Sequence, residues 1–474
     1  MIRKIIIASL IVISCSGLEA QYIEEVMEYR PAPGQFINSW PWGCPVSANS
    51  LEGGINGSIS LGAFGGYVVF RFGDAVENHP DNPYGIDFTI FGNPTTEWSE
   101  PGVVWVMKDE NENGMPDDIW YELAGSDYYF SSTRKNSGVT YFNPGAREAM
   151  DVPWSDLSGD SGVIRANSAH SQPYYPLIDS FPGISADSFV LAGTRILGAV
   201  DVDTPPIIKS LRRAFGYADN QLRGSGAHMI PDNPYTLEVE NSGGDAFDID
   251  WAVDADRNPV DLDRIHFVKV QNGILHEGGW LGELSTEITG AVDVSANAGL
   301  SGNVDLLVLK ELPPEIDTGS LQMELFLFHR GKPATLPQIQ WTLSEDWATV
   351  DDDQVLRVSD FGPLNINAMV SGDPSLQVSV STRVHPDTIA ILSSTEPYMR
   401  SGPLLYPNPS NGIIRISGME EGSLSFYDLS GKTVLRIENY SPGNEIHIHD
   451  FPRGMYLIKL GEGPYASWLK LLKE

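Results

Sequence analysis

Cysteine is nearly absent from this 474-residue chain, which carries only Cys15 and Cys44. If the first 20 residues are removed on export, Cys44 stands alone and no intramolecular disulfide can form. Stability outside a cell must then come from packing or from bound ions. Apolar runs are short: Ile5–Ile13 is far below the ~20 residues that a membrane-spanning helix needs. Positive charge is scarce, with 30 Lys+Arg against 63 Asp+Glu and a formal net charge of −33. Such a field repels phosphate backbones and anionic lipid, which argues against a nucleic-acid partner. Residues 1–20 contribute +1 and residues 404–474 contribute −1, so the acidity belongs to residues 21–403.

What is present points to strands. Gly 47 and Pro 33 punctuate the chain, and Trp 11, Tyr 18 and Phe 18 fill the segments between them. Turn formers alternating with β-favouring residues predict an all-β chain of several domains, about three or four by length. Catalytic signatures are missing: there is no HExxH, no GxSxG elbow, no phosphate-cradling loop and no Cys/His zinc spacing. Gly159-Asp160-Ser161-Gly162 is similar to the segment around the nucleophile of trypsin-like proteases, but only His79 precedes it, so it reads as a turn. No residue is assigned a catalytic role, and the protein is expected not to be an enzyme. A carboxylate pair for glycoside hydrolysis is invisible without distances, and Glu97, Glu100 and Asp87 near Trp98 and Trp105 are where one would be sought.

The N-terminus has a basic start (Arg3, Lys4), the apolar run and small residues up to Ala20, the layout of a secretory signal over 1–20. An alternative cut, before Cys15 in Val12-Ile13-Ser14-Cys15, would make a lipoprotein. At the other end, residues 404–474 alternate apolar and polar positions between Gly, Asn and Pro, predicting a small antiparallel sandwich. The ordered set Tyr406-Pro407-Asn408-Pro409-Ser410-Asn411-Gly412, Tyr427-Asp428-Leu429-Ser430-Gly431-Lys432 and Arg453-Gly454-Met455-Tyr456-Leu457-Ile458-Lys459-Leu460 resembles the type A C-terminal sorting domain of the type IX secretion system of Bacteroidetes. That resemblance implies contact with the secretion machinery, passage through the periplasm and outer membrane, and release or attachment at the cell surface. His447 and His449 alternate on one strand and read as a solvated face, since a third ligand is lacking.

Between the ends, residues 303–390 predict an Ig-like sandwich with Trp341 and Trp347 as core residues and Asp351-Asp352-Asp353 as a solvated turn. Residues 391–403 read as a linker. Residues 21–300 predict a jelly-roll-like sandwich, of one or two halves, that binds a ligand. Asp81-Asn82-Pro83-Tyr84 returns as Asp232-Asn233-Pro234-Tyr235, each copy before an Asp-bearing strand. The pattern from Gly85-Ile86-Asp87-Phe88 to Trp120-Tyr121-Glu122-Leu123 resembles a group of uncharacterised Bacteroidetes cell-surface proteins. That resemblance implies a secreted or surface-tethered binding protein and leaves its ligand open, a glycan, a small molecule or a protein.

One motif suggests a cation. Asp109, Asn111, Asn113 and Asp117 stand at positions one, three, five and nine of a loop with Gly114 at six, the front half of a calcium loop. Trp120 replaces the bidentate Glu at twelve and strands flank the loop, so it is no EF-hand; Asp118 or Glu122 could complete the sphere. The plainer reading is an acidic hairpin turn. Asp254, Asp256 and Asn258 repeat the one-three-five spacing, with Pro259 in place of the Gly, and there turn and cation are balanced. Calcium is thus the expected cofactor, in a structural role. Tyr128, Tyr129, Tyr174 and Tyr175 lie in loop-like stretches where exposed rings could stack on a sugar or another planar ligand, or else cover a sheet edge. A glycan hydrolase and a purely structural or adhesive component are the competing readings.

Overall fold

The computed structural model describes residues 21–474 apart from 96–97, 198–199, 205–206, 223–225, 280–281, 386–403, 407–409, 411, 418–420, 429–431, 462–466 and 474. The signal segment, with Cys15, and the linker at 391–403 therefore lie outside the described residues. The described chain is all-β and forms two compact units, divided at residue 390.

In the first unit a six-stranded antiparallel sheet runs in the order Ile23–Arg30, Tyr67–Phe72, Phe267–Asn272, Gly102–Met107, Trp120–Leu123 and Ala252–Val253. Period-two alternation decides its faces: Val268, Val270, Val104 and Val106 point into the core, while Lys269 and Trp105 between them do not. Facing it is the sheet Asp245–Phe247, Phe88–Phe91, Gly290–Asp293. The two repeated tetrapeptides lead into strands that pair directly, Phe247 opposite Phe88, with their rings stacked at 5.3 Å. Asp87 locks this pairing by accepting from Ile249 N–H at 2.7 Å and from Asn82 Nδ2 at 2.8 Å. A further four-stranded sheet, Ser161–Ile164, Val152–Asp156, Arg134–Phe142 and Ser188–Arg195, has its own core around Phe64, Tyr141 and Phe189. The Gly159 segment is a hairpin turn there, with Gly159 at φ 91°.

Residues 305–385 form a second sandwich around Leu356, Leu364, Ile366 and Val380, against which Trp341 and Trp347 pack. Asp351 Oδ1 accepts from the N–H groups of Asp353 and Val355, which makes that acidic run a self-capped turn. Its paired strands Asp305–Leu309 and Leu325–His329 serve two cores at once. Leu307, Leu309, Leu325 and Leu327 face their own sandwich, whereas Leu306, Val308, Phe326 and Phe328 enter the N-terminal core beside Tyr129, Phe215 and Trp251.

The second unit holds two sheets, Leu404–Tyr406, Ile413–Ser417, Ile446–His447 and Thr433–Tyr440, Gly422–Asp428, Gly454–Leu460, Ser467–Lys473. Ile414, Ile416, Phe426 and Ile458 fill the space between them. Tyr440 Oη is buried with its ring, accepts from Ile416 N–H at 2.8 Å and donates to the Asn444 carbonyl at 2.8 Å. His447 and His449 are exposed, as their alternation with buried Ile446 and Ile448 requires.

Candidate functional site

The acidic loop turns the chain between the strands Gly102–Met107 and Trp120–Leu123, and it gathers all five residues singled out there. Asp109 Oδ1 accepts from Asn113 N–H at 3.1 Å and its Oδ2 from Gly114 N–H at 2.8 Å. Asn113 Oδ1 accepts from Met115 N–H at 2.7 Å, and Asp118 Oδ2 from Glu110 N–H at 3.0 Å. The amides of Asn111 and Asn113 both donate to Asp117 Oδ1, at 3.1 and 3.2 Å. Gly114 sits at φ 72° and Glu112 at φ 55°, left-handed positions that let the chain double back over so few residues. The loop is thus a knot in which Asp109 and Asp118 cap backbone N–H groups while Asp117 receives both side-chain amides.

The second loop is less convergent. Asp254 Oδ1 accepts from the N–H groups of Asp256 and Asn258, and its Oδ2 from Asn258 Nδ2 at 3.1 Å. Bonds from Asn258 hold the Asp254 carboxyl below its ordinary range. Asp256 enters this turn through its backbone, while its side chain is exposed. The turn is complete as an Asx turn, with Arg257 at φ 69°.

The four tyrosines correct the sequence reading, because none offers an open ring face. Tyr174 and Tyr175 are 1% and 4% exposed and belong to the core around Phe189. Tyr175 Oη donates to the Ser185 carbonyl, and Tyr174 Oη accepts from Asn167 N–H. Asn38 Nδ2 pins the segment down through the carbonyls of Pro173 and Tyr175. Tyr128 is buried under the Lys135 ammonium, and half-buried Tyr129 lies between Phe326 and Phe328. Pro and Ser around these rings mark a loop, but a loop folded over a sheet buries its large residues as a strand does.

The aromatic surface lies elsewhere. Trp40 is 74% exposed and Trp42 39%, on the turn that Asn38 anchors. Trp42 meets Phe36 edge-on at 5.5 Å, and Phe36 meets His170 at 4.9 Å, so the Trp42 indole is backed by an aromatic ledge. The sequence signal for it is Ser39-Trp40-Pro41-Trp42-Gly43, two indoles inside a run of turn formers. On the outer face of the six-stranded sheet a row of residues also comes into register. Lys269 pairs with Trp105, which pairs with Glu122, and the Lys269 ammonium lies 4.7 and 4.9 Å from the rings of Trp105 and Trp120. Burial raises the Glu122 carboxyl and lowers the Lys269 and Lys135 ammoniums, and Thr194 donates to Glu122 at 2.5 Å. Of the acids considered for hydrolysis, Glu97 lies outside the described residues. Asp87 is buried in the strand lock, where burial pushes its carboxyl up.

Each module is a β-sandwich closed around a hydrophobic core. The C-terminal sandwich matches, over residues 404–474, the family described as the secretion system C-terminal sorting domain. The chain therefore carries a type IX sorting domain and is a secreted protein, delivered to the cell surface or beyond it. No curated protein matches the chain. Among solved structures, tandem Ig domains A164-A165 of titin share 14% identity, covering 35% of this chain and 95% of that one, at a TM-score of 0.13. The D00-D0 domain of intimin shares 12%, covering 35% and 99%, at 0.14. The Escherichia coli adhesin FdeC shares 13%, covering 45% and 78%, at 0.15. Among the described residues no helix is long and apolar enough to cross a membrane.

Proposed function

We propose that this is a cell-surface binding protein, exported through the periplasm by the type IX route, whose N-terminal sandwich engages a glycan, a small molecule or a protein partner. The sorting domain at 404–474 is the observation that carries the delivery half of this reading. Trp40 and Trp42 support the binding half, because two indoles left exposed on one turn have apolar surface to lose to a partner. Flat rings on a polar, acidic protein suit a neutral ligand with a planar apolar face, such as a sugar ring. Binding rather than turnover is the reading that this exposed apolar surface supports.

Screening the secreted chain against glycans for binding and turnover tests this. Trp40→Ala with Trp42→Ala is expected to weaken any bound glycan about 10–100-fold, the loss typical of removing aromatic anchors. Undiminished binding, or turnover of a hit, overturns the reading.

The same proposal includes calcium at the acidic loop, where Asp109, Asp117 and Asp118, with the amide oxygens of Asn111 and Asn113, supply hard oxygen donors. Asp254 and Asn258 are the weaker second site, already closed by their own hydrogen bonds, and Asp256 would have to turn inward to join them. Chelation is expected to lower the melting temperature, and Asp109→Ala to remove the part of that response due to the loop. A melting curve of Asp109→Ala with the same chelator response as the parent protein removes calcium from this loop.

A further inference from the structure

Three acids from separate stretches of the chain meet inside the N-terminal sandwich. Glu100 precedes the strand Gly102–Met107, Asp219 stands in a loop, and Glu287 begins the strand Glu287–Ile288. One carboxylate oxygen of each lies within 4.8 Å of those of the other two. Asp219 is 0% exposed and Glu287 8%, while Glu100 is half-buried. Asp219 is aimed by its backbone and neighbours: it sits at φ 56°, and its Oδ1 and Oδ2 accept from the N–H groups of Asn93 and Glu287, each at 2.8 Å. Gly92 makes room for it, since a Cβ there would come within 2.2 Å of Asp219 Oδ1. Ser285 N–H donates to Glu100 Oε1 at 3.1 Å.

A fourth buried acid has one oxygen without a partner. Glu283 is 2% exposed; its Oε1 accepts from Gln35 N–H at 2.6 Å, while its Oε2 has no hydrogen bond. Its negative charge acts on Glu287, and the charge of Glu100 acts on it in turn. The side-chain charges acting most strongly on Asp219 and Glu287 are all negative. Burying several carboxylates together without a counter-charge is strongly unfavourable for each one ionised. A cation coordinated among them removes both the repulsion and the unmet oxygen.

The donor set and its burial identify the cation. Carboxylate oxygens alone select a hard divalent ion over zinc or copper. A buried cage of protein oxygens suits calcium, which takes about six to eight oxygen ligands, whereas magnesium keeps several of its own waters. We propose that Glu100, Asp219 and Glu287, with Glu283 as a fourth arm, form a buried calcium site that ties three distant segments of the sandwich together. This site is distinct from the exposed loop at Asp109 and does not depend on it.

The test uses the full secreted chain carrying Asp109→Ala and Asp254→Ala, so that neither exposed loop contributes. That protein, stripped of metal, is expected to bind a calcium ion in equilibrium dialysis and to melt higher when calcium is restored. Adding Glu287→Gln should abolish both responses while leaving the melting temperature in chelator unchanged or raised, because one repelling charge is gone. Should that variant not fold, terbium in the chain carrying only the two loop substitutions gives an independent reading. A buried ion holds fewer inner-sphere waters, by luminescence lifetime in H2O against D2O, than one on an exposed loop, and calcium should displace it. Absence of bound calcium, a calcium response that survives Glu287→Gln, an equal loss of stability with and without calcium, or a fully hydrated terbium ion each overturns the site. Failure of the loop proposal leaves these outcomes untouched, since they are read with both loops already disabled.

Discussion

Removal of residues 404–474 is expected to leave the protein inside the cell envelope, with its surface fraction lost. The sorting domain is a compact unit with its own core of Ile414, Phe426 and Ile458, and the division at residue 390 leaves the first unit with its own cores intact. The truncated chain should therefore fold and accumulate without appearing outside the cell. Fractionation, with protease added to intact cells, separates the two outcomes. Normal appearance of the truncated chain at the surface would mean that these residues do not direct export. A subtler variant, Tyr440→Phe, keeps the ring but removes the hydroxyl that accepts from Ile416 N–H and donates to Asn444, and it distinguishes a need for the folded domain from a need for a linear signal.

Phe328→Ala is expected to destabilise the first unit by about 3–5 kcal/mol, the range for emptying a core of a phenyl ring. Phe328 is fully buried, with its centroid 5.1 Å from Phe215 and 5.8 Å from Tyr129. Its strand belongs by hydrogen bonding to the second sandwich, yet its ring completes the core of the first. The substitution should lower the denaturation midpoint of both sandwiches together, because the strand that loses the ring is shared. Phe361→Ala, at a ring 61% exposed, serves as the control and should stay within about 0.5 kcal/mol of the parent. Equal midpoints for the two variants would show that the seam around Phe328 contributes little.

That shared strand shows how tertiary context completes a local signal. Leu325-Phe326-Leu327-Phe328 has no polar alternation, which marks a strand covered on both faces. The sequence expectation put it in a sandwich of its own, and only the fold shows that its second face is covered by the N-terminal region. The tyrosines failed for a related reason. Local composition around Tyr174 and Tyr175 describes backbone conformation, whereas exposure depends on what packs above, here the core of Phe64 and Phe189 and the clamp from Asn38.

What the sequence by itself determined is what depends on neighbours along the chain. Alternation and turn residues established an all-β protein, ordered motifs established the sorting domain, and the Asp, Asn and Gly of 109–118 marked a tight loop, which closes through bonds spanning two to five residues. Only the tertiary structure decided which aromatics face solvent, and only it brought Glu100, Asp219 and Glu287 together. Asp219 and Glu287 stand 68 residues apart, and no spacing rule links them. Their meeting follows from strand pairing and from Gly92 yielding space, and the cost of burying them together exists only once water has been excluded.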